Sequence, residues 1–553
     1  MDSSEDAAEY PARGAVSTDE LGGVARSAGV IGGATLASRV LGLLRDIVLA
    51  NAFAAAATDA FFIAFTIPNL FRRLVGEGTL TASFVPIFTG WLDRSREEAR
   101  DGFNATWTLA AVVGAGIALA GIAFADPLVR VFAPGFLEDP DKFALCVTLL
   151  RICFPYILLL SVFAVAMGAL NATGHFFAPA IAPVLLNVCI IVAALGSTGF
   201  AEPIVAVAVA VLIAGVVQVA AQVPALRARR LSPRPLLALG HPLIGRLVTV
   251  MAPAVLGASV YQFNLLVVRF LSSFLGDGAV SYLFYADRLL EFPLGVFVFA
   301  IGTASLPSLS RLVKRGEREA LRDAFSGTLA FAVALALPST VGLVLLREPL
   351  IAGLFAWTDV FDAAAVSGCA QALFCYALGL VPITVSRICV QLCFAHENTR
   401  TPARAAAVSL AANAAAALAL IGPLPEGVLS AELVSLQHRI VVADLGYAGL
   451  ALATSIAAAA NALYLAAFCR VRYGVFVTLR DADRWLRIAL ASAVMAAALV
   501  GLAQLLPLPR QASAAGLALL AVHVAAGAGA YFAALGLLRS PDLAAFRAIL
   551  RRG

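Results

Sequence analysis

The chain has 553 residues, of which 61% are hydrophobic and 13% charged. Soluble domains average about 45–50% apolar and about 25% charged residues. This composition, with a mean hydropathy of +0.92, excludes a soluble enzyme, a disordered chain and a secreted disulfide scaffold. It leaves an all-α polytopic membrane protein. The net charge of +5 is carried almost wholly by arginine, because only Lys142 and Lys314 are lysines. In a membrane protein such a balance reflects loop topology, not nucleic-acid binding.

Residues 1–24 are polar and acidic, with no basic region or cleavage site of a signal peptide, and are expected to form a disordered cytoplasmic tail. A helix needs roughly 20 apolar residues to cross a bilayer. About fourteen such runs follow, near 27–53, 59–91, 104–126, 143–171, 177–197, 202–224, 247–274, 278–306, 323–347, 364–395, 402–422, 446–469, 484–506 and 512–538. The second, eighth and tenth are long, contain Pro or Gly, and are expected to bend or break. With the N-terminus inside, the inner loops carry Arg94, Arg96 and Arg100, a cluster at 227–234, another at 311–322, Arg400 and Arg404, and a fifth at 470–487. The outer loops carry only Arg130, Lys142, Arg347, Arg439 and Arg510. Excess Arg and Lys marks the cytoplasmic side, so an even number of spans with both termini inside is expected.

Two stretches repeat weakly. Residues 59–94 and 280–314 each contain a Thr-Ala-Ser…Pro sequence followed by a basic loop, about 220 residues apart. Six spans would separate them, so the halves would be parallel, as in transporters built around a central cavity. The expected domains are an N-lobe at 25–226, a basic linker at 227–246, a C-lobe at 247–470, and a last helical pair with the C-terminus at 471–553. The eight cysteines lie in or beside apolar runs and complete no zinc pattern. They read as buried, inert thiols.

Ionisable groups inside spans are costly and usually face a cavity or one another. The first span holds Arg39, Arg45 and Asp46. Arg39 and Asp46 lie about two turns apart on one face, with Arg45 about a quarter turn aside. The second begins with Asp59 and later holds Arg72, Arg73 and Glu77; the last two are spaced to pair along the helix. The eighth holds Asp287, Arg288 and Glu291, with Arg288 and Glu291 three apart. Arg151, Arg269 and Arg387 are further single charges. Guanidinium forks match phosphate oxygens and stay charged. Arg39, Arg45, Arg72 and Arg288 are therefore candidate ligands of an anionic, phosphate-bearing cargo. Asp46, Asp59, Asp287 and Glu291 are candidates for tuning that cavity or coupling it to ions.

These residues carry a resemblance. The run Ser38-Arg39-Val40-Leu41-Gly42 with Arg45-Asp46, then Thr58-Asp59-Ala60-Phe61-Phe62, then Ile67-Pro68-Asn69-Leu70-Phe71-Arg72-Arg73 and Glu77-Gly78, resembles the opening of the MurJ (MviN) lipid II flippase family. That family lies in the multidrug/oligosaccharidyl-lipid/polysaccharide exporter superfamily. Ala133-Pro134-Gly135-Phe136, Phe154-Pro155-Tyr156, Leu186-Asn187, Tyr285-Ala286-Asp287-Arg288-Leu289, Glu291-Phe292-Pro293, Leu306-Pro307 and Thr401-Pro402 continue the likeness. The resemblance implies two six-helix lobes plus two C-terminal helices in the bacterial inner membrane. The implied cargo is lipid II, an undecaprenyl-pyrophosphate carrying a disaccharide pentapeptide. Arg39, Arg45, Arg72 and Arg288 match cavity arginines that serve the pyrophosphate, Asp46 and Asp59 match acidic positions that matter in the family, and the last two helices would guide the lipid tail. Membrane lipids and the peptidoglycan-synthesis machinery are the other implied partners. No cofactor, bound metal or catalytic residue is expected, and no P-loop is present. Whether membrane potential or a monovalent cation drives the cycle stays open, since no second-lobe carboxylate matches the sodium site of some members. The 396–399 exit of the tenth span and the long 422–446 segment depart from the family pattern; His438 and Arg439 are expected in a solvated loop. The rivals are an exporter of another polyprenyl-pyrophosphate-linked oligosaccharide and a membrane glycosyltransferase. The latter would need an acidic pair in a sizeable outer loop, and the one acidic outer segment, 137–142, reads as a turn.

Overall fold

The computed structural model describes residues 18–71, 79–238, 240–295, 299–425, 430–475, 481–509 and 511–550. Residues 1–17 of the expected tail, and Arg72, Arg73 and Glu77, lie outside the described residues. The first ten helices are α1 (Thr18–Ala52), α2 (Ala55–Phe71), α3 (Thr79–Arg94), α4 (Arg96–Ala123), α5 (Ala125–Phe132), α6 (Pro140–Cys153), α7 (Tyr156–Ala172), α8 (Phe177–Ala180), α9 (Ala182–Leu195) and α10 (Pro203–Ala228). The next ten are α11 (Pro242–Ser272), α12 (Ala279–Pro293), α13 (Phe299–Arg315), α14 (Arg318–Leu345), α15 (Arg347–Phe355), α16 (Ala363–Ala377), α17 (Leu380–Ala395), α18 (Arg400–Leu420), α19 (Ala431–Ile440) and α20 (Gly446–Phe468). The chain closes with α21 (Ala482–Leu505), α22 (Ala514–Leu537) and α23 (Pro541–Leu550).

Residues 18–24, expected to be disordered, are helical. Thr18, Asp19 and Glu20 supply the hydroxyl and acidic residues that favour a helix start. Ten helices or helix pairs among the described residues are long and apolar enough to cross a bilayer. The other four expected runs fall on α1, α2–α3, α11 and α12–α13, which are charged, interrupted or described only in part. The described residues thus give ten candidate spans and leave the count of fourteen as an expectation. The tenth run breaks at 378–379 and the eighth loosens at 294–295, as the Pro and Gly content suggests. The fourth run also breaks, at Phe154 and Pro155, where proline lacks the donor for the helical ladder.

Helices α1–α10 pack mainly on one another, and α12–α20 likewise, giving two lobes. The connector between them is strapped to α4, where Asn104 Oδ1 accepts from the Arg234 amide at 3.0 Å and Thr108 Oγ1 from the Leu236 amide at 2.9 Å. Leu243 and Leu247 at the start of α11 join the first lobe's packing, while Asn264 further along reaches Asn413 of α18. With successive spans taken to cross the bilayer in alternate directions, the arginine-rich loops fall at one end, here termed the basic end.

The hydrophobic interior is unevenly divided. At the end away from the arginines one cluster unites both lobes, including Phe61, Phe62 and Leu149 from the first and Tyr285, Phe355 and Cys369 from the second. At the basic end each lobe has its own cluster, and a further one, with Met495 and Tyr531, belongs to α21 and α22. Phe84, Phe88, Phe103 and Leu170 pack in the first lobe, and Leu309, Phe325, Ile388 and Leu465 in the second. Seven of the eight thiols are buried, in keeping with the sequence reading.

Two segments differ from expectation or add to it. His438 and Arg439 are exposed, as expected, but they stand on a helix, α19, that is pinned to the end of α18. Gln437 Nε2 donates to the Leu418 and Gly422 carbonyls at 3.0 and 2.8 Å, and its Oε1 accepts from the Leu424 amide at 3.1 Å. His438 Nε2 lies 3.1 Å from the Leu424 carbonyl, so only part of that residue is solvated. At the C-terminus, fully buried Asp542 of α23 accepts from the Arg484 guanidinium of α21 and from Ser540 Oγ at 3.0 Å. Phe546 packs on Phe331 and Phe532, with ring centroids 4.7 and 5.2 Å apart. Asp542→Ala is expected to cost about 1–3 kcal/mol, below the cost of breaking a fully buried pair because Arg484 is partly solvated. Thermal denaturation of the purified variant checks this, with a lowered midpoint expected and transport retained below it.

Candidate functional site

The centre of the site is one carboxylate. Asp46 on α1 is fully buried. Its Oδ1 accepts from Arg45 Nε at 2.9 Å and Nη2 at 2.6 Å, and its Oδ2 accepts from Arg288 Nε at 2.7 Å. Arg45 belongs to the first lobe and Arg288, on α12, to the second. A buried carboxylate is tolerable only where partners replace its water, and here cations from both lobes do so. Arg288 Nη1 also donates to Glu291 Oε2 at 3.0 Å, the i,i+3 pair its spacing predicts. Arg45 Nη1 reaches Asn187 Oδ1 on α9 at 3.2 Å, and Asn187 Nδ2 donates to the Ser38 carbonyl at 3.1 Å. Asn187 thus ties the Arg45 head to the α1 backbone.

Two expectations are corrected here. Arg45 does not point aside; its long side chain folds back onto the neighbouring Asp46. The side chain that shares the Asp46 face along α1, Arg39, is not its partner in any described contact; two other guanidiniums already occupy both oxygens. Arg39 lies instead against Gly295, just past α12, where an added Cβ would overlap its guanidinium. A glycine at that point lets a first-lobe arginine reach the second lobe's backbone.

Arg39, Arg45 and Arg288 line one cavity of about 430 Å³, together with Asn187, Gln218 and Phe71. Arg288 also lines a second of about 150 Å³, with Asn69, Asn264, Arg269, Asp287 and Glu291. Among the described residues, the three guanidiniums of the larger cavity outnumber the two carboxylates paired to them, so an anion is favoured there. Asp287 is exposed toward the smaller cavity. Arg72 lies outside the described residues.

Asp59 sits elsewhere, at the end away from the arginines, and lines neither cavity. It is almost fully buried. Its Oδ2 accepts from the Gly278 amide at 2.8 Å and from Lys142 Nζ at 3.0 Å. Its Oδ1 accepts from the Ser281 amide at 2.8 Å and from Ser281 Oγ at 2.6 Å. Helix α12 starts at a glycine with φ +90°, which has no side chain to cap the free amides. Asp59 of the first lobe performs that capping from outside, with the favourable sign for a helix N-terminus. Lys142 Nζ also reaches Asp277 at 2.8 Å, so it bridges the lobes. The sequence reading treated 137–142 as a turn and missed Lys142; its rarity as one of two lysines was the available signal. Nearby, Asn51 Oδ1 accepts from the Trp357 and Thr358 amides at 3.0 and 2.9 Å, and Phe62 stacks on Phe284 at 4.0 Å. This end is closed by polar and apolar contacts together.

Residues 49–512 match the family described as Lipid II flippase MurJ. The chain belongs to that family. The MurJ of Burkholderia cenocepacia, named a lipid II flippase, is 37% identical over 464 residues, which cover 83% of this chain and 85% of the relative. The probable MurJ of Bdellovibrio bacteriovorus is 38% identical over 402 residues, 72% of this chain and 77% of the relative. A solved lipid II flippase MurJ in an inward-closed conformation superimposes with a TM-score of 0.73 at 24% identity, over 92% of this chain and 98% of that one. An inward-facing transporter of the multidrug MATE family gives 0.64 at 14% identity, over 79% and 94%. At these identities the two structures speak for the fold alone. MurJ is a family of transporters, not of catalysts, and this member is a multi-pass membrane protein. Among the described residues no cluster of three or more His, Cys, Asp or Glu could hold a metal ion.

Proposed function

We propose that this chain carries lipid II from the cytoplasmic to the periplasmic leaflet of the inner membrane by alternating access. The observation that carries the reading is the convergence of Arg45 and Arg288, from opposite lobes, on Asp46 beside a cavity that Arg39 also lines. A pyrophosphate entering that cavity offers the guanidiniums more acceptor oxygens than one carboxylate. Arg39, Arg45, Arg72 and Arg288 would hold it, while Asp46 and Glu291 keep the empty site from being over-charged. Cargo that draws Arg288 from Asp46 would loosen the two lobes at the same step. Asp59 then acts on the conformational change, not on the cargo.

The basic end is read as cytoplasmic by its arginine excess, with both termini inside. The lobes are taken as 25–226 and 247–470, joined by the strapped linker at 227–246, with 471–553 guiding the lipid tail. Undivided packing at one end and divided packing at the other suit a state shut to the periplasm. A negative interior favours outward movement of an anion by about 2.3 kcal/mol per charge per 100 mV; a monovalent cation is the other energy source this reading admits. Membrane lipids and peptidoglycan-synthesis enzymes are the remaining expected partners.

The test is growth of cells depleted of their own lipid II flippase. The wild-type chain is expected to rescue them. Arg39→Ala, Arg72→Ala and Arg288→Ala, each matched for membrane abundance, are expected to fail. A well-expressed wild type that does not rescue would favour another polyprenyl-pyrophosphate-linked oligosaccharide as cargo. Abundant mutants that rescue fully would make these arginines structural.

A further inference from the structure

We infer that α19 is an interfacial helix, lying on the bilayer at the periplasmic face of the second lobe with Leu433, Leu436 and Ile440 embedded among lipid. The inference goes beyond the proposed transport and needs only the membrane topology on which that reading also rests.

The helix is short but firmly placed. Gln437 pins it to the α18 end, as described above. Its exit strand is tied back by the Val442 amide donating to the Ala419 carbonyl at 2.8 Å and the Leu445 amide to that of Leu420 at 3.0 Å. Only Val434 and Gln437 of the helix are buried. Around the helix, at 100° per residue, Val434 and Gln437 mark the docked side. Leu433, Leu436 and Ile440 form an adjoining apolar stripe, and Glu432, Ser435, His438 and Arg439 fill the opposite arc. The stripe is open, with Leu433 57% and Leu436 58% exposed. Val442, just beyond, is exposed as well. Large apolar side chains set side by side on one open face mark a contact with a membrane or a partner.

Lipid is the cover the structure favours. The helix leaves α18 and its chain re-enters at α20, and both are bilayer spans. Of the ten spans, α18 is the least buried within the protein, with 17% of its apolar window enclosed, so it borders lipid. A helix attached to its end and lying across it meets the headgroup boundary, where amphipathic helices bury one face by about 5–10 Å. A protein partner fits less well, because these few side chains fall far short of the roughly 800 Å² per partner that stable interfaces bury.

The experiment uses the full-length chain in phosphatidylethanolamine–phosphatidylglycerol vesicles, with a fluorescent maleimide at Leu436→Cys, Leu433→Cys or Ser435→Cys and the unsubstituted chain as background for native thiols. All three positions are exposed, so the substitutions leave the packing intact. Lipids spin-labelled near the headgroup are expected to quench the probes at 433 and 436 at least twofold more than the probe at 435. Equal quenching at the three sites overturns the proposal. So does absence of quenching in vesicles combined with protection of Leu436→Cys from an impermeant maleimide in cells, a result that assigns the stripe to a protein. Failure of the growth test above would leave this measurement unaffected.

Discussion

Replacing Asp59 with alanine is expected to open the end away from the arginines and to abolish transport. The carboxylate takes four donors, three of them from Gly278 and Ser281 of the second lobe. Its loss leaves the Lys142 ammonium buried with Asp277 alone and uncaps α12. Truncating one partner of a buried ion pair costs about 3–5 kcal/mol; losing a cap adds about 1 kcal/mol. All of this falls on the closed state. At about 1.4 kcal/mol per tenfold, the balance between closed and open shifts by at least about two powers of ten. Ala279→Cys, at a position with 1% exposure in the closed end, reports it. An impermeant maleimide is expected to label Ala279→Cys slowly in the parent and at least tenfold faster beside Asp59→Ala. Asp59→Asn keeps an acceptor for α12 but not the charge, and is expected to fall between. Unchanged labelling would remove Asp59 from the gate.

The second large effect is expected at Asp46. In Asp46→Ala, Arg45 and Arg288 keep their positions near the cavity wall but lose the anion between them. Like charges then face each other over the buried place that Asp46 leaves, where Coulomb energies exceed those in bulk water. A lower melting midpoint and no rescue of flippase-depleted cells are expected. Removing one cation as well should restore the midpoint but not the rescue. A double-mutant cycle of Asp46→Ala with Arg288→Ala is expected to give a coupling of about 1–3 kcal/mol, the range for groups in one network. Additive midpoints would show that the pair does not hold the lobes together. Restored growth in the double variant would show that neither residue meets the cargo.

The sequence made the charged spans legible because charge in an apolar run is conspicuous at any distance. Arg288 and Glu291 were readable as a pair, since i,i+3 spacing is a local property of a helix. The link from Arg288 to Asp46 was not, because it joins positions 242 residues apart. Nor was the partner of Arg45, since a flexible side chain overrides the nominal angle between neighbours on a helix. Asp59 was recognised as important and given the wrong neighbourhood. It starts a span that otherwise looks cavity-lining, and only the fold shows that α12 begins beside it at a glycine with no cap of its own. Lys142 was hidden in an acidic turn, and α19 in a segment whose anchor, Gln437, has no periodic signature.

The single packing cluster at one end and the separate lobe clusters at the other make this molecule a clothes-peg with its spring at the end away from the arginines. Holding such a device shut takes a small clip at the spring, whereas forcing it needs a wedge in the jaws. The clip is already reachable, because the Asp277 side chain is 60% exposed while its Lys142 partner is hidden. A compound that settled over Asp277 without displacing Lys142 would hold the proposed cycle at that step, acting from the side that the arginine excess assigns to the periplasm.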